Sequence, residues 1–127
     1  MGLPAQHCLR QRREFLAVHA DGYRVSCGPF IFQCLPARRV EGRSEADPCR
    51  LGLVASRKVG NAVARNLGKR RFRALFHRHV ALLPPGSDLV IILRSGVSER
   101  PFSELEQRFL KACHNLPRSL WENPEQP

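Results

Sequence analysis

Nine cations and no anions occupy the stretch from Cys49 to Ser87: Arg50, Arg57, Lys58, Arg65, Lys69, Arg70, Arg71, Arg73 and Arg78 stand without one Asp or Glu among them. A helix that merely faces water intersperses acids with bases, because like charges at i, i+4 destabilise it by roughly 0.2–0.5 kcal/mol per pair. Concentrated positive charge of this kind is relieved when phosphates neutralise it, and counterion release then adds to binding. Of the 21 Lys and Arg residues only Lys58, Lys69 and Lys111 are lysine, and arginine's planar fork suits bidentate phosphate contacts and stacking on bases. Polyanion recognition is therefore the chemistry this segment offers, with nucleic acid favoured over a membrane surface.

Bond-breaking chemistry has no comparable support. A nuclease site needs clustered carboxylates for metal ions, or a histidine pair around an anion. Here Asp21, Glu41, Glu45 and Asp47 are scattered over turns and loops, and Asp88 reads as a turn residue at a strand entrance. His77 and His79 lie about 200° apart around a helix and cannot share a metal, while His7 and His114 have no visible partner. The five cysteines are widely spaced and contain no C-x-x-C, so neither a zinc site nor a disulfide framework is expected. Reduced thiols of this kind fit a cytoplasmic protein. Catalytic and metal-ligating residues are accordingly expected to be absent.

The elements that must position the cations follow from pattern. With 127 residues, 43% hydrophobic content and a net charge of +10, the chain has room for one core. No run approaches the ~18 apolar residues of a membrane span, and the N-terminus lacks a secretion signal. Residues 1–8 and 117–127 read as a loose N-terminus and a disordered tail around a single domain spanning 9–116. Arg10 to Ala20 reads as a helix closed by Asp21-Gly22. Tyr23 to Leu35 is rich in β-formers and broken by Gly28-Pro29, giving two strand pieces with Phe30 and Phe32 on the core face and Ile31 and Gln33 on the other. Pro36 to Pro48 is a surface loop, and Leu51 to Ser56 a strand. Asn61 is an N-cap for a helix reaching about Leu83, with Gly68, Phe72, Leu75, Phe76, His79 and Leu83 on its core side. Asn66, Arg70, Arg73 and His77 fall almost opposite. Gly68 within the core stripe marks close approach of helix to strand. Asp88 to Leu93 is the best central strand, and a capping box of Ser103 and Glu106 starts a last helix with Leu105, Phe109, Ala112 and Leu116 inward. The order is helix, strands, long helix, strand, helix, an α+β sandwich.

Within the basic segment the run Ser56-Arg57-Lys58-Val59-Gly60-Asn61-Ala62-Val63-Ala64-Arg65-Asn66-Leu67-Gly68-Lys69-Arg70-Arg71-Phe72-Arg73 closely resembles the signature of the protein subunit of bacterial ribonuclease P. Arg12-Arg13-Glu14-Phe15, Gly22-Tyr23-Arg24 and the strand beginning at Asp88 extend the likeness over roughly residues 9 to 115. Two positions depart from it: Leu67 replaces a common second arginine, and Ala74 stands where Glu or Gln often follows Arg73.

The resemblance implies an αβββαβα fold like that of ribosomal protein S5's second domain, with a left-handed β-α-β crossover where the general rule favours the right-handed form. It implies that the basic helix face docks on a catalytic RNA, and that a cleft between the first helix and the sheet holds the 5′ leader of precursor tRNA. Arg57, Lys58, Arg65, Asn66, Lys69, Arg70 and Arg73 match RNA-contact positions. At the cleft Phe15 matches an aromatic position, whereas His19 and Gln33 stand where aromatics are often found, so stacking worth about 1–3 kcal/mol per base is reduced there. Cleavage is expected on the RNA, with Mg2+ held by RNA and substrate and none by the protein, and with neither DNA nor membrane as partner. A non-catalytic ribosomal or assembly module of the same fold is the competing reading, and an independent protein nuclease a third.

Overall fold

The protein is described by a computed structural model covering residues 3–121. Helix α1 (Arg12–Asp21) leads into the hairpin of β1 (Tyr23–Ser26) and β2 (Phe30–Leu35). Strand β3 (Arg50–Ala55), helix α2 (Ala62–His79), strand β4 (Asp88–Leu93) and helix α3 (Phe102–His114) complete the predicted αβββαβα order. The strands form one mixed sheet in the order β1-β2-β4-β3, with β4 antiparallel to β2 and parallel to β3. The uninterrupted apolar run of β4 is thus explained by two strand neighbours and two covered faces.

Alternation sends Phe30, Phe32, Leu89, Ile91 and Leu93 to the face covered by α2 and α3, where they meet Phe72, Phe76, Leu105 and Phe109. Edge-to-face contacts between Phe30 and Phe72 (4.7 Å) and between Phe32 and Phe109 (5.7 Å) tie both helices to β2. A Cβ on Gly68 would stand 2.9 Å from Leu93 Cδ1, so α2 approaches β4 as closely as the missing side chain allows. On the opposite face α1 buries Val18 against Leu35 and Val90, with Leu9 and Val40 packed beside them.

A buried ion network fixes α1 on that face. Arg50 donates from Nε and Nη2 to the two carboxylate oxygens of Asp88 (2.8 and 2.7 Å) and from Nη1 to Glu14 Oε2 (2.6 Å). The other Glu14 oxygen accepts the backbone N–H groups of Gln11 and Arg10, closing the first turn of α1. Asp88, read from sequence as a turn residue, is instead 1% exposed and central to this network. Its carboxylate is tolerated there because Arg50 satisfies both oxygens.

Several boundaries differ from expectation for identifiable reasons. The N-terminal stretch is attached rather than loose: Ala5–His7 form a 3₁₀ turn, Cys8 bridges to Leu51, and Leu9 N–H donates to the Leu51 carbonyl. Of the expected tail, Arg118–Leu120 form a 3₁₀ turn, Leu120 is buried, and Arg38 donates to the carbonyls of Ser119 and Leu120. Residues 122–127 lie outside the described residues. Helix α2 ends at His79 and tightens into a 3₁₀ turn over Val80–Leu82. The Ser103–Glu106 capping box does not form; α3 starts at Phe102 after Pro101, and Glu106 accepts from Arg78 and His79 on α2 (2.8 and 2.7 Å). Two cationic partners outcompete one backbone N–H.

The Arg50 network generates two predictions. Asp88→Ala removes two of the three carboxylate contacts of the half-buried Arg50 guanidinium and leaves Glu14 as its one remaining acidic partner, so it should lower stability by about 2–3 kcal/mol, read from urea unfolding. Burial pushes the Glu14 carboxyl up, but the Gln11 and Arg10 amides and the Arg50 guanidinium outweigh it and hold it below its usual 4.5. Its contribution is therefore present above the unfolded value and lost as pH falls through the lowered folded value. Urea midpoints measured from pH 6 downward should fall below about pH 4.5, with a shallower fall in Glu14→Gln.

Candidate nucleic-acid interface

Strand β3 ends at Ala55, and a tight turn at Arg57–Val59 follows, in which Ser56 Oγ accepts the Lys58 N–H (3.3 Å). Gly60, at φ +145°, makes the corner, and Asn61 Oδ1 caps α2 by accepting the Ala64 N–H (2.9 Å). This short path places Arg57 and Lys58, both exposed, at the mouth of the helix that carries Arg65, Asn66, Lys69, Arg70 and Arg73.

The nine cations of the segment divide cleanly by partner. Arg50 belongs to the α1 network, Arg71 donates to the Arg100 carbonyl (2.7 Å), and Arg78 pairs with Glu106 while lying over the Phe102 ring. These three hold elements together. The side chains of the other six, Arg57, Lys58, Arg65, Lys69, Arg70 and Arg73, make no hydrogen bond or ion pair among the described residues. They are the cations expected from sequence to contact RNA, and Asn66 is exposed among them. Leu67 is half-buried and adds no polar group to the face.

Around the β3 edge this face opens into a groove of about 180 Å3, where Lys69 and Arg73 meet Phe15 and Leu53. The Phe15 ring lies on Gly52: a Cβ there would sit 2.5 Å from Phe15 Cε1. Gly52 thus lets an aromatic ring rest on the strand beside the two cations, a pairing of flat apolar surface and positive charge suited to single-stranded nucleic acid.

The other two cleft residues behave differently. His19 is exposed at the far end of α1, and its Nδ1 lies 3.4 Å from both Arg24 Nη1 and Gln33 Nε2. A guanidinium only donates, so Nδ1 accepts and the imidazole proton sits on Nε2. Gln33 is 1% exposed, so it supports His19 from beneath and offers no open surface. Beyond α1, the register aligns Ser26, Ile31, Ile92 and Val54 across the four strands, and Val54 is 39% exposed. Arg94 closes the β1 end of this row by donating to Ser26 Oγ (3.2 Å), with Arg24 beside it. Sequence reasoning passed over Arg24, Arg94 and this apolar strip. Strand alternation places Arg24, Ile31, Ile92 and Val54 on the α1 face, but only the sheet order aligns Ile31, Ile92 and Val54 into a partly open strip beyond α1.

Guanidinium, ammonium, amide and imidazole donors dominate these surfaces. They define the class: a single-domain α+β protein whose open strand–turn–helix face carries cations without protein partners, the electrostatic pattern of a polyanion-binding surface. The family model described as Ribonuclease P matches residues 3–117, and the chain belongs to that family, the protein component of a tRNA-processing ribonuclease. The ribonuclease P protein component of Gluconacetobacter diazotrophicus is 41% identical over 101 residues, covering 78% of this chain and 81% of that one. That of Streptomyces avermitilis is 36% identical over 117 residues, covering 90% and 94%. Among solved structures, the ribonuclease P protein of Thermotoga maritima superimposes with a TM-score of 0.71 at 31% identity, over 87% of this chain and 97% of that chain.

The packing of Phe15 on Gly52 is directly testable. Gly52→Ala should displace the Phe15 ring and cost about 1–3 kcal/mol in urea unfolding. Gly52→Ala combined with Phe15→Leu, which frees that space, should recover part of that stability.

Proposed function

We propose that this protein docks on the catalytic RNA of ribonuclease P through Arg57, Lys58, Arg65, Asn66, Lys69, Arg70 and Arg73, and holds the 5′ leader of precursor tRNA between α1 and the sheet. The observation that carries this reading is the set of six cations without protein partners on one turn and one helix face. Left alone they repel one another; against phosphates they are neutralised, and the RNA can bring its own negative charge and that of the substrate together. The RNA hydrolyses the leader phosphodiester with the aid of Mg2+ bound to RNA and substrate. The protein supplies affinity, placement and charge screening.

At the leader, Phe15 provides one aromatic surface beside Lys69 and Arg73. Farther along, His19 presents Nε2–H, the Ile31, Ile92 and Val54 row offers an aliphatic floor, and Arg24 and Arg94 stand at its end. With His19 and Gln33 in place of aromatic rings, leader binding leans on cations more than on stacking. Its affinity should therefore fall steeply with salt.

The test is cleavage of a 5′-labelled precursor tRNA at low Mg2+ by the protein alone, by a bacterial ribonuclease P RNA alone, and by both. Cleavage at the mature 5′ end in the combined reaction only is expected. Lack of stimulation across several RNA subunits would point to an RNA-binding module of another assembly, and cleavage by the protein alone would make it a nuclease in its own right. Arg65→Ala with Lys69→Ala should weaken RNA-subunit binding at least tenfold at unchanged unfolding midpoint. Phe15→Ala should reduce the preference for leader-bearing over mature tRNA.

A further inference from the structure

On the side of α1 turned away from Phe15 and His19, a second group of cations surrounds a cavity of about 670 Å3. Arg13 of α1 lines it together with Arg39 and Arg43 from the segment between β2 and β3, and with Arg50. Arg50 is fully occupied by Glu14 and Asp88. The side chains of Arg13 and Arg39 make no hydrogen bond or ion pair among the described residues. Arg43 donates to the Pro48 carbonyl and lies 4.0 Å from Asp47, yet its Nε is buried without a partner, the one such side-chain atom among the described residues. A buried guanidinium N–H without an acceptor is uncommon, and it leaves the positive charge of Arg43 incompletely compensated beside the cavity.

The acids around the cavity do not cancel this charge. Glu14 is committed to Arg50, Asp47 is at the limit of pairing with Arg43, and Glu41 is exposed and unpaired among the described residues. The exposed side chains of Arg10 and Arg12, without carboxylate partners among the described residues, continue the positive charge along the start of α1 toward the β3 edge. There the groove of Leu9, Phe15, Lys69 and Arg73 takes over. Cations thus recur from α2, around the edge of the sheet and along the start of α1, to Arg39.

We infer that the cavity bounded by Arg13, Arg39 and Arg43 is a phosphodiester site for the catalytic RNA, a second anchor continuous with the α2 face. The inference rests on the RNA-docking role proposed above. Continuity with that face assigns the site to the catalytic RNA; a leader strand lying on Phe15 and His19 would have to cross over α1 to reach Arg39. Two arginines from separate elements would clasp one phosphate, fixing the segment between β2 and β3 against α1 in the assembled particle.

The experiment measures affinity of the full chain for ribonuclease P RNA across a salt series. Arg13→Ala with Arg39→Ala should bind about tenfold more weakly near 0.15 M salt, with the slope of log affinity against log salt shallower by about 0.7–0.9, because one phosphate fewer is neutralised. Both side chains project into open solvent around the cavity, so the unfolding midpoint should stay at the parental value. Glu41→Gln, which removes the opposing charge, should tighten binding about twofold. Parental RNA affinity in the double variant, alongside weakened binding in Arg65→Ala with Lys69→Ala, would overturn this site and leave the α2 face standing. Retained affinity in both pairs would overturn the two together. A double variant that keeps RNA affinity but no longer prefers precursor over mature tRNA would assign the cavity to the leader, and the inference would fail.

Discussion

Everything on the open side of this protein depends on one guanidinium. Arg50 opens β3 and reaches Asp88 at the start of β4 and Glu14 in the first turn of α1, while Glu14 closes the backbone of that turn. A ten-residue helix is marginal by itself, and α1 buries only one side chain completely. The network supplies the missing constraint by setting where α1 crosses the sheet and how it is rotated. Phe15 and His19 consequently face one side of the helix and Arg13 the other. Burying such a network carries a desolvation cost, and its return here is placement more than stability.

The same division between structural and free charge organises α2. Its inner stripe is consumed by Phe30, Leu93 and the α3 contacts, while Arg78 holds α3 through Glu106 and Arg71 holds the segment leading into it through the Arg100 carbonyl. What is left is a row of cations with no internal purpose. A helix carrying that repulsion survives because its apolar side is anchored along its length. Packing on one face thus lets the other face carry unpaired cations, which links the aromatic core to the proposed docking surface.

Much of this was legible in the chain. The Asn61 cap, the Gly68 approach, the inward Phe30 and Phe32 and the central position of Asp88–Leu93 follow from local pattern, because each is decided within a few residues. The basic motif was legible for the same reason. What pattern could not supply was partnership across the fold. Asp88 looked like a turn residue because Arg50 is 38 positions away, and Glu106 looked like a cap because Arg78 and His79 lie on another helix. The terminal segments looked loose because their anchors, the Leu51 edge and the Arg38 side chain, are likewise distant in sequence. Gln33 was read correctly as facing away from the core with Ile31, but its burial under His19 needed the helix above it.

The strand order has a temporal side. Strand β4 lies between β2 and β3 yet is the last of the four to leave the ribosome, so the growing chain carries a lone hairpin and an unpaired third strand until residue 93 is free. Both partners of β4 must be found over long loops, which slows closure and leaves edges open meanwhile. The charged stretch is synthesised within that interval, before the sheet that will carry it exists. Net positive charge opposes association between chains, so the stretch that repels itself on the finished helix also sets unfinished chains against one another while their strand edges are open.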